Sequence, residues 1–439
     1  MQKEESFYKD EDFMIEEVKN IENDIHFLIN KFYNLQNNNF DKNNPKIKLH
    51  EPTFGAEEVI SVVDTLLSGN VTMGKKVLNF ENDLNNYFNI KNSVTNNSGS
   101  SANLLAISTL CNHMTINKLN PGDEVIVPSL SWSTTVWPLI QNNLVPVFVD
   151  IDIETLNINT DSIVRAITEK TKAIMIVPVY GNPCNMNEIM NICKDFKLQL
   201  IEDTCESLGA KYEDRFLGTF GRVATYSFYF SHHITTLEGG VTITNDDELA
   251  EIMRMLRAHG WLRELKKPKK YFDQYPEIDK KFLFTNIGFN IRLTEIQGAM
   301  GSIQLKKLDD FVEKRRSVAS KLINGLNKYS NILSFQKETP NSKHSWFGFP
   351  ILIKDKRLQM SVIRNFLENK GIETRPIICG NITEQPVLRH YKYRKGDNLK
   401  NASNVMKNGF AIASHQNLDD NAVTYLLDTF NDFFDNYIL

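Results

Sequence analysis

Along residues 10–34 apolar side chains recur at alternating four- and three-residue steps, Met14, Val18, Ile21, Ile25, Leu28 and Phe32, among polar neighbours. That spacing predicts an amphipathic helix. The polar run QNNNFDKNNPK (36–46) reads as a linker, so residues 1–45 form an expected N-terminal helical arm whose apolar stripe serves packing or a dimer contact. Beyond it the pattern changes. Short β-branched runs at 124–128, 146–150, 173–179 and 198–202 alternate with stretches of helical period. Such alternation predicts an α/β fold, a mostly parallel sheet with right-handed crossovers and ligands beyond the carboxyl ends of its strands. From about 305, LKKLDDFVEKRRSVASKLINGL predicts a long helix, FGFPILI (347–353) a strand and LQMSVIRNFLENKG (358–371) a further helix. These give a smaller C-terminal α+β domain at 305–439 after a large domain at 46–304.

Composition narrows the classes. With 439 residues, 41% hydrophobic and 24% charged, the chain can bury a large core and is neither disordered nor rod-like. Fifty Lys and Arg against 54 Asp and Glu leave −4, with no basic excess for a nucleic-acid backbone. Cys111, Cys184, Cys193, Cys205 and Cys379 are scattered without metal-site or redox spacing, as free thiols of a reducing compartment would be. The opening MQKEESFYKDEDFMIEE is charged, and no stretch nears the ~18 apolar residues of a membrane span, so a cytoplasmic location is expected.

Three segments carry candidate chemistry. In TNNSGSSANLLAIS (95–108) a small polar turn enters an apolar helix; Gly99 permits close approach, Ser100 and Ser101 offer hydroxyls, and the helix start favours an anion. A plain Ser-capped helix explains the same letters. In LQLIEDTCESLGA (198–210) a strand ends in Glu202 and Asp203, with Glu206 three residues on. A carboxylate there either faces the ligand crevice, where it can hold a pyridine nitrogen protonated, or caps a helix. In SFYFSHHITTLEGG (227–240), His232 and His233 sit in a turn; adjacent residues face opposite ways, which argues against a shared metal and leaves a base or a structural pair.

Together with FGAEEVISVVDTLLSGN (54–70), VIVPSLSWSTT (125–135), YGNP (180–183) and GFNIRLTEIQGAMG (288–301), these segments resemble the nucleotide-sugar aminotransferases. Those enzymes have the aspartate-aminotransferase fold (fold type I) and use pyridoxal phosphate (PLP). The resemblance implies Asp203 at the pyridine nitrogen, Trp132 stacked on the cofactor ring, and Gly99, Ser100 and Ser227 on the phosphate. It also implies a homodimer in which Asn290 reaches into the neighbouring site. At one position the pattern departs. The family's cofactor-binding lysine is replaced by His232, and no lysine occurs from 212 to 265. An imidazole cannot replace a primary amine in a covalent link, but it can move a proton, with an ordinary pKa of about 6.5 against about 10.4 for lysine.

This places the chain nearest the 3-dehydratases of 4-keto-6-deoxy sugar nucleotides, which share a His–His pair and an acid at the position of Glu206. The implied chemistry uses noncovalent PLP and pyridoxamine phosphate (PMP), with glutamate as amino donor. His232 is the base, Glu206 and His233 its neighbours, and Arg375, Asn381 and Gln385 are substrate contacts; Glu384 stands where a basic residue is expected. An iron–sulfur branch of the same group needs four cysteine ligands; only Cys379 follows His232, so neither a cluster nor any other metal is expected. A transaminase working without lysine and a noncatalytic PLP-binding protein are the alternatives. A Rossmann dehydrogenase is disfavoured by the lack of GxGxxG after the first strand.

Overall fold

The computed structural model describes residues 2–36, 40–265 and 268–437, with side chains from Met14 onward. The arm is a single helix, α1 (Gln2–Leu35), longer than the 10–34 read from the pattern. Part of the expected linker, 37–39, lies outside the described residues. Helices α2 (Ala56–Leu67) and α3 (Lys75–Phe88) follow, then strand β1 (Asn92–Asn96) and α4 (Gly99–Leu110). Next come β2 (Glu124–Pro128), α5 (Ser133–Gln141), β3 (Val145–Val149), β4 (Thr171–Ile176) and β5 (Gln199–Asp203). β6 (Val223–Ser227), β7 (Gly240–Thr244) and α6 (Asp247–Arg257) lead to α7 (Glu295–Leu305) and α8 (Leu308–Leu326).

These strands and β8 (Arg394–Lys395) form an eight-stranded sheet in the order β1-β7-β6-β5-β4-β2-β3-β8. Only β7 runs against the rest, pairing antiparallel with β1 and β6. Strands buried on both faces explain the near-continuous apolar runs. Alternation sorts them: Val125, Val127, Met175 and Ile201 pack on the face covered by α4 and α6, while Ile126, Ile174, Ile176 and Leu200 pack on the other. Asp203 follows the parity of Ile201 and Glu202 that of Leu200, so neighbouring acids face opposite sides of the sheet. A second sheet joins Leu333–Phe335, Phe349–Ile353, Gly409–Ile412 and Arg375–Pro376 in antiparallel order around Phe349, Ile351, Phe410, Leu322 and Phe430. The two parts interlock beyond what the sequence suggested. β8 belongs to the C-terminal stretch yet completes the large sheet, and Ile47 bridges to Ile372.

One buried ion pair positions the turn between β1 and α4. Arg257 at the end of α6 lies 2.6 Å from Glu81 of α3 and donates 2.9 Å to the carbonyl of Thr95. Glu81 also accepts from the Thr95 backbone and hydroxyl, both at 2.9 Å. Three elements thus converge on the residue before the Asn96–Ser101 turn. Arg257→Met strands the Glu81 carboxylate in the core and is expected to lower the unfolding free energy by about 3–5 kcal/mol. Denaturant titration measures this, and a loss under about 1 kcal/mol would show that the clamp carries little.

Candidate active site

The carboxyl ends of β1, β2, β4, β5 and β6 surround a cavity of about 310 Å³. Gly99, Ser100, Trp132, Asp203, Glu206, Ser227, His232 and Arg375 all line it. Four expected residues do not. His233 is fully buried behind the cavity, its Nε2 3.0 Å from the carbonyl of Ser345. Asn381 is buried and caps the short turn Ile382–Glu384, bonding Ser403 at 2.9 Å. Gln385 is half-buried outside the lining, and Asn290 is exposed, accepting from Arg292.

Ser98 caps α4 by accepting from the Ser101 amide at 3.0 Å, so the first amide groups of the helix open toward the cavity. The close approach needs glycine. A Cβ on Gly99 would come within 2.5 Å of the Ser227 Cβ and 3.1 Å of the Cys205 sulfur. Ser100 donates to Thr134 at 3.0 Å. These hydroxyls and amides form a cradle suited to a dianionic phosphate.

Asp203 is 5% exposed and held by neutral donors alone among the described residues. Asn103 Nδ2 and the Thr135 hydroxyl donate to its Oδ2 at 2.8 and 2.6 Å, and the Cys205 amide reaches its Oδ1 at 3.3 Å. Asn103 is fixed in turn by the Thr225 hydroxyl at 2.7 Å. A buried carboxylate so oriented and without a counter-cation suits a cationic ring N–H. Trp132, which precedes the first turn of α5, exposes half its surface at the cavity mouth, where a flat ring can stack on it. Glu202 turns away and accepts amides of Gly218, Phe220 and Gly221, a structural role.

His232 follows the tight turn from Tyr229, whose carbonyl accepts its amide at 2.9 Å. Its ring stacks on Phe347 at 4.9 Å and 28°, and its Nδ1 has no partner among the described residues. Although the residue keeps part of its surface on the cavity, desolvation, then Arg315 and Arg375, push the imidazole down to about 3. It is a neutral base at physiological pH. Glu206 accepts from the Tyr180 amide at 3.0 Å, and burial raises its carboxyl to about 7. The cavity thus pairs a proton acceptor with a carboxyl group poised near neutrality, and no lysine among the described residues lines it.

Sequence reasoning missed Asn103, Thr135, Phe347 and Arg315. Asn103 and Thr135 carry a faint signal, polar letters on helix faces that are otherwise apolar. Phe347 and Arg315 come from the C-terminal part, and no local pattern aims them at His232. Among the described residues no group of His, Cys, Asp and Glu is arranged to hold a metal, and no helix is long and apolar enough to cross a membrane.

Residues 52–431 match the model of the DegT/DnrJ/EryC1/StrS aminotransferase family. The chain belongs to this family. It is 40% identical over 376 residues to a GDP-4-keto-6-deoxy-D-mannose 3-dehydratase of Escherichia coli O55:H7, covering 84% of this chain and 95% of that one. A solved structure of an E. coli GDP-4-keto-6-deoxy-D-mannose 3-dehydratase with bound hydrated PLP superposes with a TM-score of 0.82 at 39% identity, over 88% of this chain and 99% of the other. A structure of a GDP-4-keto-6-deoxymannose 3-dehydratase with a trapped PLP–glutamate geminal diamine gives 0.81 at 37%, over 88% and all of the respective chains.

The Glu206 carboxyl lies above its ordinary 4.5, so the folded chain holds that proton more tightly than the unfolded chain does. Its contribution to stability is full below about pH 4.5 and is lost as the pH rises through about 7. The stability of the wild type relative to Glu206→Gln should therefore fall between about pH 5 and about pH 8 in urea titrations. A difference that stays level across that window refutes the shift.

Proposed function

We propose that this protein is a PLP- and PMP-dependent 3-dehydratase that removes the C3 hydroxyl of a nucleotide-linked 4-keto-6-deoxy sugar, with His232 as its base. One observation carries the reading: the cavity that holds Asp203, Ser227 and the Gly99 turn is lined by His232 and, among the described residues, by no lysine. The two 3-dehydratase structures support it, one with hydrated PLP and one with a PLP–glutamate adduct.

Gly99, Ser100 and Ser227 bind the cofactor phosphate, Trp132 covers its ring, and Asp203 keeps the pyridine nitrogen protonated. Bound without a covalent link, PMP supplies the amine that engages the C4 ketone and the conjugated ring that accepts an electron pair. His232 takes a proton at the cofactor's C4′ carbon, its imidazole being unprotonated near neutral pH. Glu206 gives a proton to the departing C3 hydroxyl, which its raised pKa supports. Arg375 contacts substrate. Asn381 and Gln385, outside the lining, act on substrate only through the segment that carries Arg375. His233 supports the base from behind.

Glutamate restores PMP from PLP. The enzyme works as a cytoplasmic homodimer in which Asn290 completes the neighbouring site. Support for that contact is the exposure of the loop around it, where Ile287 is 95% and Phe284 48% exposed. The product serves deoxysugar supply for a surface polysaccharide.

Incubation with a 4-keto-6-deoxy nucleotide sugar, PLP and glutamate should yield a product lacking the C3 oxygen, read by mass spectrometry. His232→Asn should lower that rate at least about 100-fold while the PLP absorbance on binding is retained. Net formation of an amino sugar by the wild type would instead assign a transaminase, and unchanged turnover by His232→Asn would remove the base.

A further inference from the structure

Most of the apolar seam of α1 faces solvent. Met14, Ile21, Leu28 and Leu35 recur every seven residues, interleaved with Val18, Ile25 and Phe32. A period of 3.5 keeps a seam against another helix, and three consecutive heptads follow it here. Met14, Val18, Ile21, Leu28, Phe32 and Leu35 are each 53–76% exposed. A different stripe attaches α1 to the body: Glu22, Ile25, His26, Ile29 and Tyr33 are its half-buried positions, and His26 lies 2.6 Å from Asp64 of α2. Of the seam, only Ile25 is drawn into that contact. The match to the family model begins at residue 52, after the arm.

We infer that this seam pairs with α1 of a second copy of the chain as an antiparallel coiled coil. Five exposed seam side chains from each copy, Met14, Val18, Ile21, Leu28 and Phe32, bring together on the order of 1,000 Å², the area a specific interface needs. Charge sets the direction. Residues 2–24 carry nine acids and three lysines, whereas 25–35 carry Lys31 and no acid, so antiparallel helices oppose unlike halves. With the overlap centred between Ile21 and Ile25, Val18 faces Leu28 of the second copy and Met14 faces Phe32. Glu17 then comes beside Lys31 twice, at the cost of bringing the two Asp24 residues together. Parallel pairing in register would set Glu17 against Glu22 twice. The contact goes beyond the dimer around Asn290 and does not depend on the reaction.

The test is cross-linking of the full chain carrying Val18→Cys and Leu28→Cys under mild oxidation. A covalent species of twice the chain mass is expected, and adding Ile21→Glu should reduce it at least tenfold. The replaced side chains are exposed, so the fold is not at stake. Three outcomes overturn the inference: no covalent dimer, as when another protein or a membrane surface covers the seam; a dimer insensitive to Ile21→Glu; or equal linking by Val18→Cys alone, which marks parallel helices. C3 deoxygenation measured on the same samples is expected at the wild-type rate. Its absence from the wild type would sink the dehydratase reading and leave the pairing standing.

Discussion

The contact between the first turn of α4 and the end of β6 is the constraint on which the site depends. Gly99 lies so close to Ser227 that any side chain would collide, and a Cβ on Gly240 would come within 2.4 Å of the Ser98 carbonyl. The end of β6, the start of β7 and the start of α4 therefore meet in close contact, and the amides that a helix leaves unpaired are brought to the floor of the cavity. Arg257 and Glu81 fix the approach from behind by holding Thr95. The polarity of the floor is thus a product of packing: the sheet brings the strands there, and glycine lets them touch.

The electrostatics follow from the same geometry. Asp203 is held in the core by hydroxyl and amide donors, with no cation among its partners in the described residues. Arg315 presents the opposite case, a buried guanidinium with no carboxylate among its hydrogen-bond partners, its charge met by the carbonyls of Trp346 and Phe347. Burial pushes that arginine down to about 9, and its field in turn disfavours a proton on His232. Asp203 with its neutral donors and a histidine held neutral line one cavity.

Much of this was legible in the sequence because its signals are local. The β-branched runs mark β2 to β5 within two or three residues, and SGSS, IED and SHH each sit at a strand end or turn where chemistry is exposed. Asn381 and Gln385 were less legible, since their letters suit a ligand contact and a turn equally well. Asn381 in fact spends its amide on Ser403 and Glu384. The division at 305 is blurred for a physical reason: a two-residue strand such as β8 has too little length to show a period, yet it closes the edge of the large sheet.

The residues that no local pattern could reveal are those contributed across that division. Segment 344–347 crosses from the second sheet to the histidine turn. Its Ser345 carbonyl holds His233, its Phe347 ring stacks on His232, and its carbonyls receive Arg315 from α8. Tyr180, in the turn after β4, anchors the segment again, with its carbonyl accepting the Phe347 amide at 2.7 Å. In this chain the orientation of the imidazole comes from a strap pinned at both ends, so the C-terminal part of the molecule positions a side chain that lines the cavity of the large sheet.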